Sequence, residues 1–288
     1  MHSIKYMMRA AAGLLCSAAL VSTVTAHERF VVPTHTLLSG DAPQSVNVVG
    51  SISNDIFHPD KPLGDTSNGD HVPRLKALFE MLDYWVVQPD GRVTDTTRWE
   101  AFSRLSVADV ELLKSGTHRV SLSQPETRMT TFVKADGTPS RVFGDKPEIP
   151  EGATDIVRRE SQSRVETFVT LNEPTTGAVK PMGIGIEIGG EQHPNDLFVG
   201  ETATFQLFFE GKPLVGEAKA TLIKGGTRHR NDRNEQVLVV GKDGSFSFTA
   251  TEAGFYFLNL TTQIDVTQPA DVDVKHATLY LTLEVFPQ

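Results

Sequence analysis

Apolar side chains fall at every second position of TATFQLFF, with Ala203, Phe205, Leu207 and Phe209 on one face. The same alternation runs through HATLYLTLEVF. It points Ala277, Leu279, Leu281, Leu283 and Val285 inward, and Thr278, Tyr280, Thr282 and Glu284 outward. A period of two belongs to half-buried strands, because successive side chains leave a pleated backbone on opposite faces. GSFSFTA and GFYFLNL add two more such runs. Turn signals at Glu210-Gly211-Lys212-Pro213 and Asp243-Gly244 separate them. About seven strands in the last ~105 residues match the size and rhythm of an immunoglobulin-like sandwich.

The first half is less regular but of the same kind. QSVNVVG, YWVVQPDGRVTD, THRVSLS, MTTFVKADGT and RVETFVTL read as strands, two of them broken at Asp-Gly. PRLKALFEML and SVADVELLKSG read as local helices. Between the halves, NEPTTGAVKPMG (172–183) concentrates Pro174, Gly177, Pro181 and Gly183, the composition of a linker. The expected class is therefore all-β, with two immunoglobulin-like sandwiches in tandem over 27–179 and 180–288. LLKSGTHRVSL and ATEAGFYFLNL echo each other as a polar turn, a glycine and an alternating strand. Tyr256 then stands where a corner tyrosine bonds back to the preceding turn, and His118 is its counterpart.

Before the first strand lies a different pattern. Lys5 and Arg9 precede an apolar run from Ala10 to Val24, and Val24-Thr25-Ala26 offers small residues to a signal peptidase. A cleaved leader over 1–26 predicts export, to a bacterial periplasm, with His27 as the mature terminus. The run is short for a membrane span, which needs roughly 20 apolar residues. Cys16, in GLLC, lacks the small residue that precedes a lipidated cysteine. It is the single cysteine of the 288 residues, so the mature chain carries neither disulfide nor thiolate ligand. The formal charge of −9 becomes −11 once Lys5 and Arg9 are removed. That acidity argues against a nucleic-acid partner, whose phosphates need a basic face.

Enzyme motifs fail. HERFV begins like a zinc-protease helix, but the second histidine would fall at Val31. GIGIEIG misplaces its third glycine, and its isoleucines alternate as in a strand. No phosphate loop or nucleophile elbow occurs. Histidine is the richer signal. SNDIFHPDKPLGDTSNGDH sets His58 and His71 among Asp55, Asp60, Asp65 and Asp70, a nitrogen and oxygen set suited to borderline metals or simply a turn-rich surface loop. His35 reads as a turn residue, His229 as part of a solvated hairpin end, and His276 as the outer face of the last strand. His193 precedes a proline at the entry to the second half. A terminal His27 offers an amine and an imidazole together, a chelate favoured by Cu(II) and Ni(II).

AHERFVVPTHTLLSGD resembles the A-H-x-x-W-x-x-P opening of a bacterial domain-of-unknown-function family. Its members are often labelled periplasmic components of cobalt or nickel uptake. SISNDIF, VQPDG, RVETFVT, HPNDLFVGETATFQLFFEGKPLVG and GGTRHRN match its further landmarks, with Phe30 in place of the opening tryptophan and with His118 and His229 where tyrosines are usual. The resemblance implies a periplasmic protein connected with cobalt or nickel uptake; with the failed enzyme motifs and the terminal histidine, the expectation is a non-enzymatic protein that binds nickel, cobalt or copper. The expected ligands are His27, His193, His58 and Asp55, and the expected partner is a membrane metal permease or outer-membrane transporter. The alternative is a structural or interaction module serving an outer-membrane transporter or envelope assembly. A further alternative is a copper oxidase built on the terminal histidine.

Overall fold

A computed structural model describes residues 28–63, 82–94, 98–267 and 271–288. The leader, His27, His71, Asp65, Asp70 and all but the last residue of the helix expected at PRLKALFEML lie outside the described residues.

The described chain is built of strands. The first half contributes β1 (Glu28–Pro33), β2 (Leu37–Leu38), β3 (Gln44–Ser53), β4 (Lys61–Pro62), β5 (Asp83–Val87), β6 (Val93–Thr94), β7 (Arg98–Ala101), β8 (Ser106–Leu112), β9 (Gly116–Val133), β10 (Pro139–Phe143) and β11 (Thr154–Leu171). The second half contributes β12 (Ile186–Gly189), β13 (Thr202–Phe209), β14 (Lys212–Pro213), β15 (Ala218–Lys224), β16 (Gln236–Leu238), β17 (Ser245–Thr249), β18 (Gly254–Asp265) and β19 (Val274–Val285). One 3-10 turn, Thr227–His229, interrupts them, and there is no α-helix among the described residues. The all-β expectation holds. SVADVELLKSG, expected to be helical, is strand β8: Ser106, Ala108, Val110 and Leu112 are buried at period two and pair along β3 and β7. Its small inward residues, serine and alanine, hide the alternation.

Three sheets organise the described residues. A ten-stranded sheet runs β16-β15-β18-β19-β11-β9-β5-β6, with β10 on β9 and β2 on β11. A sheet of β1, β3, β4, β7 and β8 covers its first-half end, and a sheet of β12, β13, β14 and β17 covers the other. Each layered pair has its own core. Val48, Val110, Val120, Leu122 and Val169 belong to the first, and Phe205, Leu222, Leu258, Leu279 and Leu281 to the second. The corner expected at Tyr256 forms, its hydroxyl donating to Glu252 O at 2.8 Å. His118 is fully buried, its Nδ1 bonded to Gly116 O at 3.1 Å.

The halves are not separated by a free linker. β11 and β19 pair in parallel from Arg159↔Val274 to Thr167↔Thr282, so one sheet passes through both. This also explains why the outward face expected for β19 is covered: Thr278 and Thr282 are buried, and Thr282 Oγ1 donates to Val31 O at 2.5 Å. The segment expected as a linker is packed. Ala178 and Val179 are buried, and a Cβ on Gly177 would stand 2.0 Å from Pro89 O. The boundary placed at Val179 thus falls inside a seam.

That seam is charged. Arg119 and Glu187 are each 1 % exposed and pair at 3.2 Å. Arg119 also donates to Ala178 O at 2.8 Å and Lys180 O at 2.7 Å, while Glu187 accepts from the backbone N–H groups of Met182, Gly183 and Ile184. Arg164 bonds Glu166 at 2.7 Å and reaches Ile184 O and Ile186 O. Burial acts to raise the Glu166 carboxyl, but the Arg164 and Arg119 guanidiniums outweigh it and hold it below the usual carboxylate range.

Candidate functional site

Three stretches distant in sequence meet at one end of the first core. β1 pairs with β3 so that Glu28 lies opposite Ser53, where the loop Asn54–Asp60 begins. Ile56 is buried, and its N–H donates at 3.0 Å to Thr227 Oγ1 in the second half's 3-10 turn. Phe57 takes a left-handed backbone (φ 60°), uncommon for a bulky residue and costing on the order of 1–3 kcal/mol. Its ring compensates by packing edge-on against Phe30, Phe255 and Phe257, with centroids 5.5, 5.9 and 6.4 Å away. Gly225 makes room for it: a Cβ there would stand 2.8 Å from the Phe57 ring and 3.2 Å from Phe255 O. The turn of Phe57 leaves the next residue, His58, partly exposed at the rim.

The result is a polar cleft of about 440 Å³ lined by Asp55, His58, Asp60, Arg104 and Arg228, with Ser53, Asn54 and Pro59. Arg104 Nη1 donates to Asp60 at 2.9 Å. Arg228 Nη1 donates to His58 Nε2. Arginine has donors only, so the ring nitrogen of His58 is the acceptor in this contact. Beside the cleft Glu28 pairs with Arg233, while burial raises the Glu28 carboxyl above its ordinary value against the opposing pull of that arginine. Arg230 shapes the basic loop by donating to Gly225 O at 2.8 Å and to Lys224 O and Arg233 O.

The expected ligands therefore separate. Asp55 and His58 line one cleft. His193 is engaged elsewhere: Nδ1 accepts from Asn195 N–H at 3.1 Å, which leaves Nε2–H to face Thr117 Oγ1 at 3.0 Å and Thr175 O at 3.2 Å. Burial is the main cause holding its pKa below the ordinary histidine value. Neighbouring Asn195 donates to Thr36 O and Thr170 Oγ1, so HPND ties the second half to the first. His35, His229 and His276 are exposed, His229 in the 3-10 turn and His276 on β19. Among the described residues no three or more His, Cys, Asp or Glu side chains group closely enough to hold a metal ion. Asp55 and His58 fit a borderline metal as an oxygen and a nitrogen donor, but they need further ligands.

Arg104 and Arg228 were not anticipated as site residues. Arg228 stood within GGTRHRN, read as a solvated hairpin end, and Arg104 carried no local signal. Among the described residues, no helix is long and apolar enough to cross a membrane.

Residues 24–264 match the family described as "Domain of unknown function (DUF4198)". No curated protein matches the chain. Among solved structures, the two tandem V-type regions of VCBP3, a v-region-containing chitin binding protein, align over 88% of this chain and 98% of that one, with 11% identity and a TM-score of 0.20. Trypsin-activated alpha-2-macroglobulin from Escherichia coli aligns over 89% of this chain but 23% of its own length, with 10% identity and a TM-score of 0.20. At these scores neither likeness carries an argument about this chain.

Proposed function

The chain belongs to the DUF4198 family, and from that premise we propose that it is an exported, non-enzymatic protein that binds a divalent transition metal (nickel, cobalt or copper) at the cleft of Asp55 and His58. The observation that supports this reading is the register Glu28↔Ser53. His27 directly precedes Glu28, the residue that pairs with Ser53 at the cleft wall. Once the leader is removed after Ala26, His27 supplies an amine and an imidazole, His58 a second imidazole and Asp55 a carboxylate. Such a set suits borderline metals, and every nitrogen must be unprotonated to ligate. His193, with both ring nitrogens engaged, is not part of the proposed site.

Calorimetric titration with nickel of protein beginning at His27 tests the reading. One added N-terminal alanine, or His58→Ala, weakens binding, while His193→Asn leaves it unchanged. Equal affinity with and without the added alanine removes His27 from the site.

A role as an interaction module is favoured by a separate feature. Val237 and Val239 are 78 % and 86 % exposed on and just beyond β16, at the edge of the ten-stranded sheet. Sheet edges carrying exposed apolar side chains invite pairing with another chain. Sedimentation of Val237→Lys/Val239→Lys against wild type checks it: loss of a concentration-dependent larger species supports the role, and identical behaviour removes it.

A further inference from the structure

The HPND turn joins the two halves through a histidine whose protonation state the hydrogen bonds fix. Asn195 N–H donates to His193 Nδ1 at 3.1 Å. A backbone N–H only donates, so Nδ1 carries no proton. Nε2 lies 3.2 Å from Thr175 O, which only accepts, so the proton sits on Nε2 and the ring is neutral. The turn held in this way carries the tie to the first half. Asn195 is buried, and its Nδ2 donates to Thr36 O at 3.1 Å and to Thr170 Oγ1 at 3.0 Å. Thr117 Oγ1, 3.0 Å from Nε2, lies 3.0 Å from Thr170 Oγ1 and closes the network. Thr36, Thr117 and Thr170 are all buried.

Little charge faces the ring. β9 and β11 present the Thr117 and Thr170 hydroxyls, the 172–183 segment presents the Thr175 carbonyl, and Glu284 of β19 reaches only to the Thr36 hydroxyl. Burial holds the His193 pKa below its ordinary value, against the Thr175 carbonyl and the Asp196 carboxylate of the same turn, which favour the charged ring.

We infer that His193 is an acid-operated latch between the halves. A proton on Nδ1 sets two N–H groups against each other, the Asn195 N–H loses its acceptor, and the Asn195 side chain lets go of Thr36 and Thr170. The closed latch refuses that proton, whereas the released one accepts it at the ordinary histidine pKa of about 6.5. The latch is therefore shut above that pH and loosens as pH falls below it. Linkage also sets the limit: from pH 7.5 to 5.0 the opening constant rises by at most about thirtyfold. His193 lies outside the proposed metal site, so the latch operates whether or not that site is filled.

Hydrogen–deuterium exchange of residues 27–288 at pH 7.5 and 5.0, read by mass spectrometry and divided by the intrinsic rate at each pH, tests this. Peptides over 173–177 and 192–197 exchange about 3- to 30-fold faster at pH 5.0, while peptides over β13 keep their protection. In His193→Asn the side-chain oxygen accepts the Asn195 N–H at either pH, so the acid response disappears. Asn195→Ala exchanges fast in the same peptides at both pH values. Unchanged protection of the wild type at pH 5.0, or an equal acid response in His193→Asn, overturns the inference. So does an acid loss shared evenly by β13, which is global unfolding, or an Asn195→Ala variant protected like the wild type at pH 7.5.

Discussion

Removing the Glu187 carboxylate isolates the part of the structure that joins the two halves. Glu187 is the partner of the buried Arg119 guanidinium at 3.2 Å, and both side chains are about as buried as the apolar core. Glu187→Ala leaves two buried guanidiniums, Arg119 and Arg164, with the single carboxylate of Glu166 between them. Breaking such a pair by deleting one partner costs about 3–5 kcal/mol, because the remaining charge keeps its desolvation penalty. The backbone N–H groups of Met182, Gly183 and Ile184 lose their acceptor as well, but this stretch is partly exposed and water replaces it, so the pair sets the magnitude. At about 2–4 °C per kcal/mol for a chain of this size, the melting temperature falls on the order of 10 °C. Urea and thermal unfolding followed by circular dichroism read the change. Glu187→Leu combined with Arg119→Met removes both charges and is less destabilised than the sum of the two single variants by more than about 1 kcal/mol. A Glu187→Ala loss below about 1 kcal/mol, or strict additivity in the double variant, refutes the assignment of the seam to this pair.

Two further outcomes follow from the seam. His193 has its folded pKa lowered chiefly by burial, so below about 6.5 the unfolded chain takes up a proton that the folded chain refuses. The stability it supplies is complete above that pH and is lost as pH falls toward the folded pKa. Melting temperature therefore drops between about pH 7.5 and 5.5, less steeply in His193→Asn, and equal slopes contradict this. A fragment of residues 180–288 leaves β19 unpaired along Val274–Thr282 and uncovers Ile223 and Phe257, which Phe30 and Ile56 otherwise cover. It aggregates or unfolds without cooperativity, whereas a monomeric fragment with a single sharp transition shows that the second half folds alone.

The strands of the second half were legible because their own side chains report one apolar and one polar face. TATFQLFF and GSFSFTA are buried on the face the alternation names, and the Tyr256 corner follows from a local motif. β19 was legible on one face only, since what covers Thr278 and Thr282 comes from β1 and β11, more than a hundred residues away. The same limit hid the seam. Arg164 and Glu166 alternate with Val165 and Thr167 as a solvent-facing pair would, yet that face is turned toward the second half. Opposite charges two residues apart in an otherwise apolar strand were the available signal. At the site, SISNDIF and GGTRHRN were visible separately, but their union depends on contacts such as Ile56 N–H to Thr227 Oγ1, across 171 positions. His193 shows the converse: a histidine beside a proline reads the same whether its nitrogens are open or already bonded.

The central claim is that His27, His58 and Asp55 share one metal. Anomalous diffraction at the nickel edge, from crystals of protein beginning at His27 and loaded with nickel, tests it most directly. The account predicts one peak in the cleft, within about 2.0–2.2 Å of a ring nitrogen of His58 and of the amine and imidazole of His27. A peak elsewhere on the protein, or nickel bound with the His58 ring still held by Arg228, contradicts it.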